Sequence, residues 1–314
     1  MIRNLDNRIK IYTVLFIALF LSFMALTSYS VFTKILTDDF VEKSVRISRQ
    51  QASNAQTAIK NIEEMNSILI ADLKLDSPAH YRAHDSSYIG ALTSYGASSP
   101  YFTSFVVYRN DELLYYNIPT SVGTFNIRDI DISAAKNTDF DKNGIGWYIA
   151  ESKSDAPDFL LLARKIESDG DTIYIIFQVD ASYISDRFSV ENNFAKHTAI
   201  MVKKNPNGNF LSLSQMSADE REKNREIFSR ADEEGFRKSG AKTLITAAKS
   251  EDGIFTFYVK DDISSLSEYT KNLAAIYSFI LIFTLILGYF AVSMLSKSMK
   301  SQLEKIRLKM QNYY

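Results

Sequence analysis

Seven side chains between residues 101 and 180 are of the kinds that gather around a small ligand: Tyr101, Tyr108, Tyr116, Trp147, Tyr148, Arg164 and Asp180. A ligand pocket needs a few convergent polar groups on an apolar wall, and this set supplies both. Aromatic faces suit stacking on a sugar ring or planar metabolite, and Arg164 suits a carboxylate or phosphate. Each also has an ordinary alternative. Trp147 is the only tryptophan and suits a core, while Arg164 stands at a strand end, where solvated or structural ion pairs are common.

Other chemistry finds less support. His80 and His84 have a spacing that on a helix places both on one metal, but Pro78 before them and "DSS" after them point to a loop or helix start. Asp85 is the only further ligand type nearby, so His80, His84 and the third histidine, His197, read as surface residues and no metal site is expected. There is no cysteine, which excludes disulfides, thiol nucleophiles and Cys-ligated metals. No Gly-x-Ser-x-Gly elbow, glycine-rich phosphate loop or His-Glu-x-x-His motif occurs, so the chain reads as neither an enzyme nor a cofactor carrier.

At 314 residues with 46% hydrophobic content, the chain can bury a sizeable core. Its 36 basic and 37 acidic residues give no basic field for nucleic acid. Two runs carry no charge at all, residues 11–32 and 273–295. Each matches the ~30 Å apolar thickness of a bilayer, so both are expected to be transmembrane helices. Arg3, Arg8 and Lys10 precede the first run, and Lys297, Lys300, Lys305, Arg307 and Lys309 follow the second. The positive-inside bias then puts both termini in the cytoplasm of a two-pass cell-membrane protein and the intervening region outside.

The elements that must position the candidate residues follow the first span. Residues 38–73 lack Pro and Gly, and Val41, Val45, Ser48, Ala52, Ala55, Ile59, Ile62 and Leu69 recur at alternating steps of four and three. That pattern predicts a long stalk helix whose stripe packs either on the domain that follows or, through Val45, Ala52, Ala55, Ile59 and Ile62, on a second copy. Pro78 is expected to close it. "YFTSFVVY" and "LLYYN" read as a hairpin, and "FLLLARKI" joins "TIYIIFQV" through "ESDGD". The continuous apolar run from Thr172 to Val179 predicts a central strand buried on both faces. A helix is expected through "SYISDRFSVENNFAKH", then two strands, then a charged helix over "SADEREKNREIFSRADEEGFRK" with Ile227, Phe228 and Phe236 inward. Two more strands, "KTLITAA" and "IFTFYVK", return the chain to the second span. The class is therefore α+β, with two related modules in series.

This order resembles the double Cache sensory region of bacterial transmembrane receptors, notably YesM-type sensor histidine kinases of two-component systems and membrane-bound AraC-type regulators. The resemblance covers about residues 11–296 and rests on "SSPYFTSFVVYRND", "GWYIAES", "FLLLARKIESDGDTIYIIFQVDASYISDRF", "AIMVKKNPNGNFL" and "FTFYVKDDISSL". It implies two PAS-like modules, the membrane-distal one holding a small ligand and the proximal one relaying movement. Its boundaries are a cytoplasmic N-terminus at 1–10, a span at 11–32, a stalk at 33–74, a distal module at 75–186, a proximal module at 187–272, a span at 273–295 and a cytoplasmic segment at 296–314. In amino-acid-binding members an Arg two residues before a Trp-Tyr pair meets the ligand carboxylate and a later Asp the ammonium group. Here Trp147, Tyr148 and Asp180 fit that pattern, but Ile145 replaces the Arg, so an amino-acid ligand is not expected.

Beyond the second span, Leu295, Met299, Leu303, Ile306 and Met310 recur at helical spacing, an apolar stripe able to pair with a second copy and transmit movement. The neighbouring lysines also suit anionic lipid. The output would then lie in a further domain or a cytoplasmic partner. The alternative is an accessory membrane subunit whose external domain binds another protein.

Overall fold

Neither proline nor glycine occurs between residues 2 and 72, and these residues form one helix, α1 (Ile2–Asp72). The computed structural model describes residues 2–72, 90–94, 99–117, 132–150, 158–168, 170–188, 196–206, 208–231, 235–238 and 242–311. The expected stop at Pro78, together with His80 and His84, lies outside the described residues. The chain divides into two compact units, residues 1–41 with 265–314, and residues 42–264.

In the first unit the start of α1 packs beside the final helix, α5 (Ser264–Gln311), where Tyr29 donates to the Thr270 carbonyl at 3.3 Å and its ring meets Tyr277 edge-on at 6.0 Å. Both helices are long and apolar enough to cross a membrane, and their apolar stretches are not buried in protein. Phe16 is 73% exposed and Phe279 71%, surfaces that only an apolar solvent would cover without penalty.

The second unit carries two five-stranded antiparallel sheets. The first contains β1 (Phe102–Arg109), β2 (Glu112–Asn117), β3 (Ile145–Ala150), β4 (Phe159–Ser168) and β5 (Asp171–Val179), in the order β2-β1-β5-β4-β3. The second contains β6 (Lys196–Lys204), β7 (Phe210–Ser212), β8 (Gly235–Lys238), β9 (Thr243–Lys249) and β10 (Phe255–Asp262), in the order β7-β6-β10-β9-β8. The two orders are the same when each module is numbered from its own first strand. A helix lies between the second and third strands of each, α2 (Ile132–Lys136) in the first and α4 (Ala218–Ser229) in the second.

The β1–β2 hairpin turns on Asn110 and Asp111, both at positive φ (48° and 77°), as a two-residue hairpin loop requires. Asp171 accepts from Arg109 at 3.0 Å and from Asn110 at 2.7 Å, tying this hairpin to the start of β5. The apolar run at 172–179 is the central strand β5, buried on both faces as its composition requires.

Two helix assignments change. Among the described residues, the stretch after Val179 gives α3 (Ala181–Ser185) and a 3₁₀ turn, Asp186–Phe188, and His197 belongs to β6. The charged helix α4 starts at a capping box between Ser217 and Glu220 but ends at Ser229, and Gly235–Lys238 forms β8 instead. The edge of β9 takes up this segment as a fifth strand, with Phe236 opposite Thr246.

The stripe on α1 is used within the chain. Ala52, Ala55, Ile59 and Ile62 are 0–3% exposed, in one core with Phe105, Phe177, Phe255, Phe257 and Val259 of the two sheets. These four residues are therefore unavailable to a second copy, and Val45 is half-buried. Alternating three-four spacing describes an apolar face but not its partner, and here two sheets cover it.

Candidate functional site

Successive strand residues face opposite sides, so each sheet has one face toward α1 and one away. In β5, Ile173, Ile175, Phe177 and Val179 join the core around α1, whereas Tyr174 and Ile176 join a separate cluster on the far side. That outer cluster contains Val106, Tyr108, Tyr148, Phe159, Leu161, Ala163, Tyr174 and Ile176. Its helical cover among the described residues is the five-residue α2, through Ala135 and Ile132.

Gly146 lets this cover approach. A Cβ there would lie 2.5 Å from the Thr138 Cγ2 and 3.1 Å from the Phe140 ring, so a side chain at 146 would displace the segment after α2. Phe140 meets the Tyr174 ring at 6.1 Å, and the Lys165 ammonium lies 6.0 Å from the Phe140 centroid. At the other end of the face, Ser104 and Gln178 stand opposite each other across β1 and β5, and the Ser104 hydroxyl donates to Gln178 Oε1 at 2.8 Å. Gln178 is also opposite Leu161, which is in turn opposite Tyr148. The Gln178 carboxamide carries two N–H hydrogens besides the Oε1 that accepts from Ser104. Burial pushes the Tyr108 phenol above its ordinary range, which keeps it a neutral donor.

The expected ligand set separates between faces. Tyr108 and Tyr148 belong to the outer cluster, and Tyr116, 60% exposed, stands opposite Val106 on the same face of the edge strand β2. Trp147 faces α1: its indole donates to Glu63 Oε1 at 2.6 Å and its ring meets Phe255 of β10 at 5.9 Å. Arg164 has the same parity as Leu160, Leu162 and Ile166, all in the α1-facing core, so it does not converge with the tyrosines. Tyr101 packs edge-on against Tyr183 at 4.7 Å beside that core. Burial raises the Tyr183 phenol, but hydrogen bonding with Tyr101, Arg187 and Asn61 outweighs it and holds the group below its ordinary range. Asp180, two residues past Gln178, caps α3 by accepting from the Ser182 N–H at 2.9 Å.

Sequence reasoning missed Ser104, Gln178, Phe140 and Tyr174. The signal was Gln178, the carboxamide inside "TIYIIFQV". His197 is also not a surface residue: Nδ1 lies 2.5 Å from Asp261 Oδ1 and Nε2 lies 3.3 Å from the Gln51 amide of α1.

The second module closes its outer face with its own helix. Phe228 of α4 is 0% exposed and packs with Met201, Phe210, Ile245, Ala247 and Tyr258. Arg225 of α4 reaches the first module, with a guanidinium nitrogen 2.5 Å from Asp158, immediately before β4. In the last helix Met299, Leu303 and Ile306 are 63%, 63% and 54% exposed; position 310 is helical, but its side chain is outside the described residues.

No family model and no curated protein matches the sequence. Among solved structures the chain is similar to the extracellular domain of the candidate histidine kinase vpHK1S-Z8, at 12% identity over 74% of this chain and 96% of that one, with a TM-score of 0.49. It is also similar to a domain of a sensory box/GGDEF family protein from Vibrio parahaemolyticus, at 12% identity over 73% and 98% of the two chains and a TM-score of 0.45. A third is the ligand-binding domain of the Campylobacter jejuni chemoreceptor Tlp3 in complex with L-norvaline, at 12% identity over 73% and 94% and a TM-score of 0.43. By name the first is an extracellular domain of a histidine kinase and the third a ligand-binding domain of a chemoreceptor.

Proposed function

We propose that this chain is a transmembrane receptor whose first sheet module binds a small molecule on its outer face and whose second module passes the response to α5. The observation that carries the reading is the contrast between the two outer faces. The second is closed by a twelve-residue helix centred on Phe228, whereas among the described residues the first has a five-residue helix and a Ser104–Gln178 polar pair. The ligand would meet Tyr148, Gln178 and Tyr108, with Tyr116 at the rim; a neutral, partly aromatic or cyclic molecule suits these groups better than a carboxylate.

Relay follows from connectivity. Trp147 joins the first sheet to α1 through Glu63 and to β10 through Phe255, and β10 leads through Ile263 into α5. Binding shifts this equilibrium only as far as the ligand distinguishes its two arrangements. The exposed Met299, Leu303 and Ile306 stripe then serves a second copy, an output domain or a cytoplasmic partner. The close burial of Tyr108 and Tyr148, 8% and 6% exposed, is what favours the alternative of an accessory subunit that binds a protein and no metabolite.

Topology is testable directly because the chain lacks cysteine. A single Cys replacing Lys223 should react with a membrane-impermeant maleimide on intact cells, and one replacing Lys300 should react only after lysis. The reverse pattern would overturn the orientation.

A further inference from the structure

One polar contact joins α1 to the strand that enters α5, and its geometry depends on a proton. Gln51 of α1 is 1% exposed, and its Nε2 lies 3.3 Å from both the Phe188 carbonyl oxygen and His197 Nε2. An amide nitrogen has two hydrogens and no acceptor capacity, so both contacts form only while His197 Nε2 is unprotonated. The ring proton then sits on Nδ1 and is donated to Asp261 Oδ1 at 2.5 Å. Asp261 has a side chain 4% exposed and lies three residues before α5 begins. Among the described residues Gln51 Oε1 has no hydrogen-bond partner.

We infer that His197 is an acid-sensitive clutch between α1 and β10. A proton on Nε2 turns the Gln51 contact into one donor facing another, while the bond to Asp261 becomes an ion pair. Rotating the amide lets its oxygen accept from the protonated Nε2 but sets that oxygen against the Phe188 carbonyl, so one of the two contacts is lost in either orientation. Among the described residues, Ser48 of α1 and Thr246 of β9 also meet at this junction, their hydroxyls 2.6 Å apart. Arg187, beside Phe188, is held over the Tyr183 ring at 5.0 Å, and Lys196 and Asp262 at the strand ends are exposed. Among the described residues Asp261 is the charged group bonded to the imidazole, so the proton moves His197 from a bridge between helix and strand to a partner of the strand. The inference needs no ligand and stands apart from the reading of the outer face.

The test is hydrogen exchange on the full chain in nanodiscs at pH 5.5 and 7.5, corrected for intrinsic amide rates, with residues 44–55 as the readout. In the wild type, opening of this segment should increase on acidification by roughly five- to tenfold, the loss expected for one buried hydrogen bond. His197→Gln should abolish the increase. Gln51→Glu should invert it, because a carboxylate accepts from protonated Nε2 and acid then tightens the contact. Equal opening at both pH values in the wild type, an undiminished acid response in His197→Gln, or an unchanged sign in Gln51→Glu would each overturn the inference.

Discussion

The two sheet modules share a strand order, and both bury one face against α1. They differ on the face turned away. In the second module Phe228, Phe210 and Tyr258 interlock, with the Phe228 and Tyr258 rings 5.4 Å apart, and the capped α4 lies across them. In the first, among the described residues, α2 is short, its following segment settles onto Gly146, and the face carries tyrosines, aliphatic side chains and the Ser104–Gln178 pair. One topology thus supports two occupations of the same surface, a helix of the chain's own and, as proposed, a ligand.

If that contrast is real, mutations should separate the modules. Phe228→Ala should have the largest effect, about 3–5 kcal/mol of stability, because it empties the centre of a closed core; denaturant unfolding of the full chain in detergent measures it. Arg225→Met should cost about 1–3 kcal/mol by leaving Asp158 without this charged donor, and should broaden or split the unfolding transition if the ion pair couples the modules. Ser104→Ala with Gln178→Leu removes donor and acceptor together, so stability should stay within about 1 kcal/mol of wild type while ligand response is lost.

The smallest expected effect concerns pH. Burial raises the Glu63 carboxyl above its ordinary range; the Trp147 hydrogen bond opposes this, and Asp141 and Asp252 add to the rise. Between the unfolded and folded values the native state holds more protons than the unfolded one, so Glu63 lowers stability as pH rises through that interval. Glu63→Gln keeps an acceptor for the indole and should flatten this part of the stability profile upward from the ordinary carboxylate range. An unchanged slope would show that Glu63 does not titrate there.

Much of this arrangement was legible in residue periodicity. "TIYIIFQV" could only be a strand buried on both sides, and the stripe through Ala52, Ala55, Ile59 and Ile62 had to be covered. What covers it was not legible, because a heptad pattern serves a sheet as well as a second helix. The face assignment was recoverable but missed: Trp147 and Tyr148 are adjacent in a strand and must point opposite ways, so no single pocket wall includes both. Strand β8 escaped because "GFRK" is short and polar, and edge strands need little apolar content. Gln51, His197 and Asp261 lie far apart in sequence, and only tertiary packing brings them together.

The central claim, that the first module's outer face holds a small molecule, is tested most directly by thermal unfolding of the full chain in nanodiscs against a panel of sugars, purines, amines, amino acids and dicarboxylates. The account expects at least one neutral or cyclic compound to raise the transition temperature of the wild type and of Phe228→Leu, and to leave the Ser104→Ala, Gln178→Leu double variant unmoved. Stabilisation that survives in the double variant would contradict it, as would no stabilisation by any compound together with specific co-purification of a membrane protein.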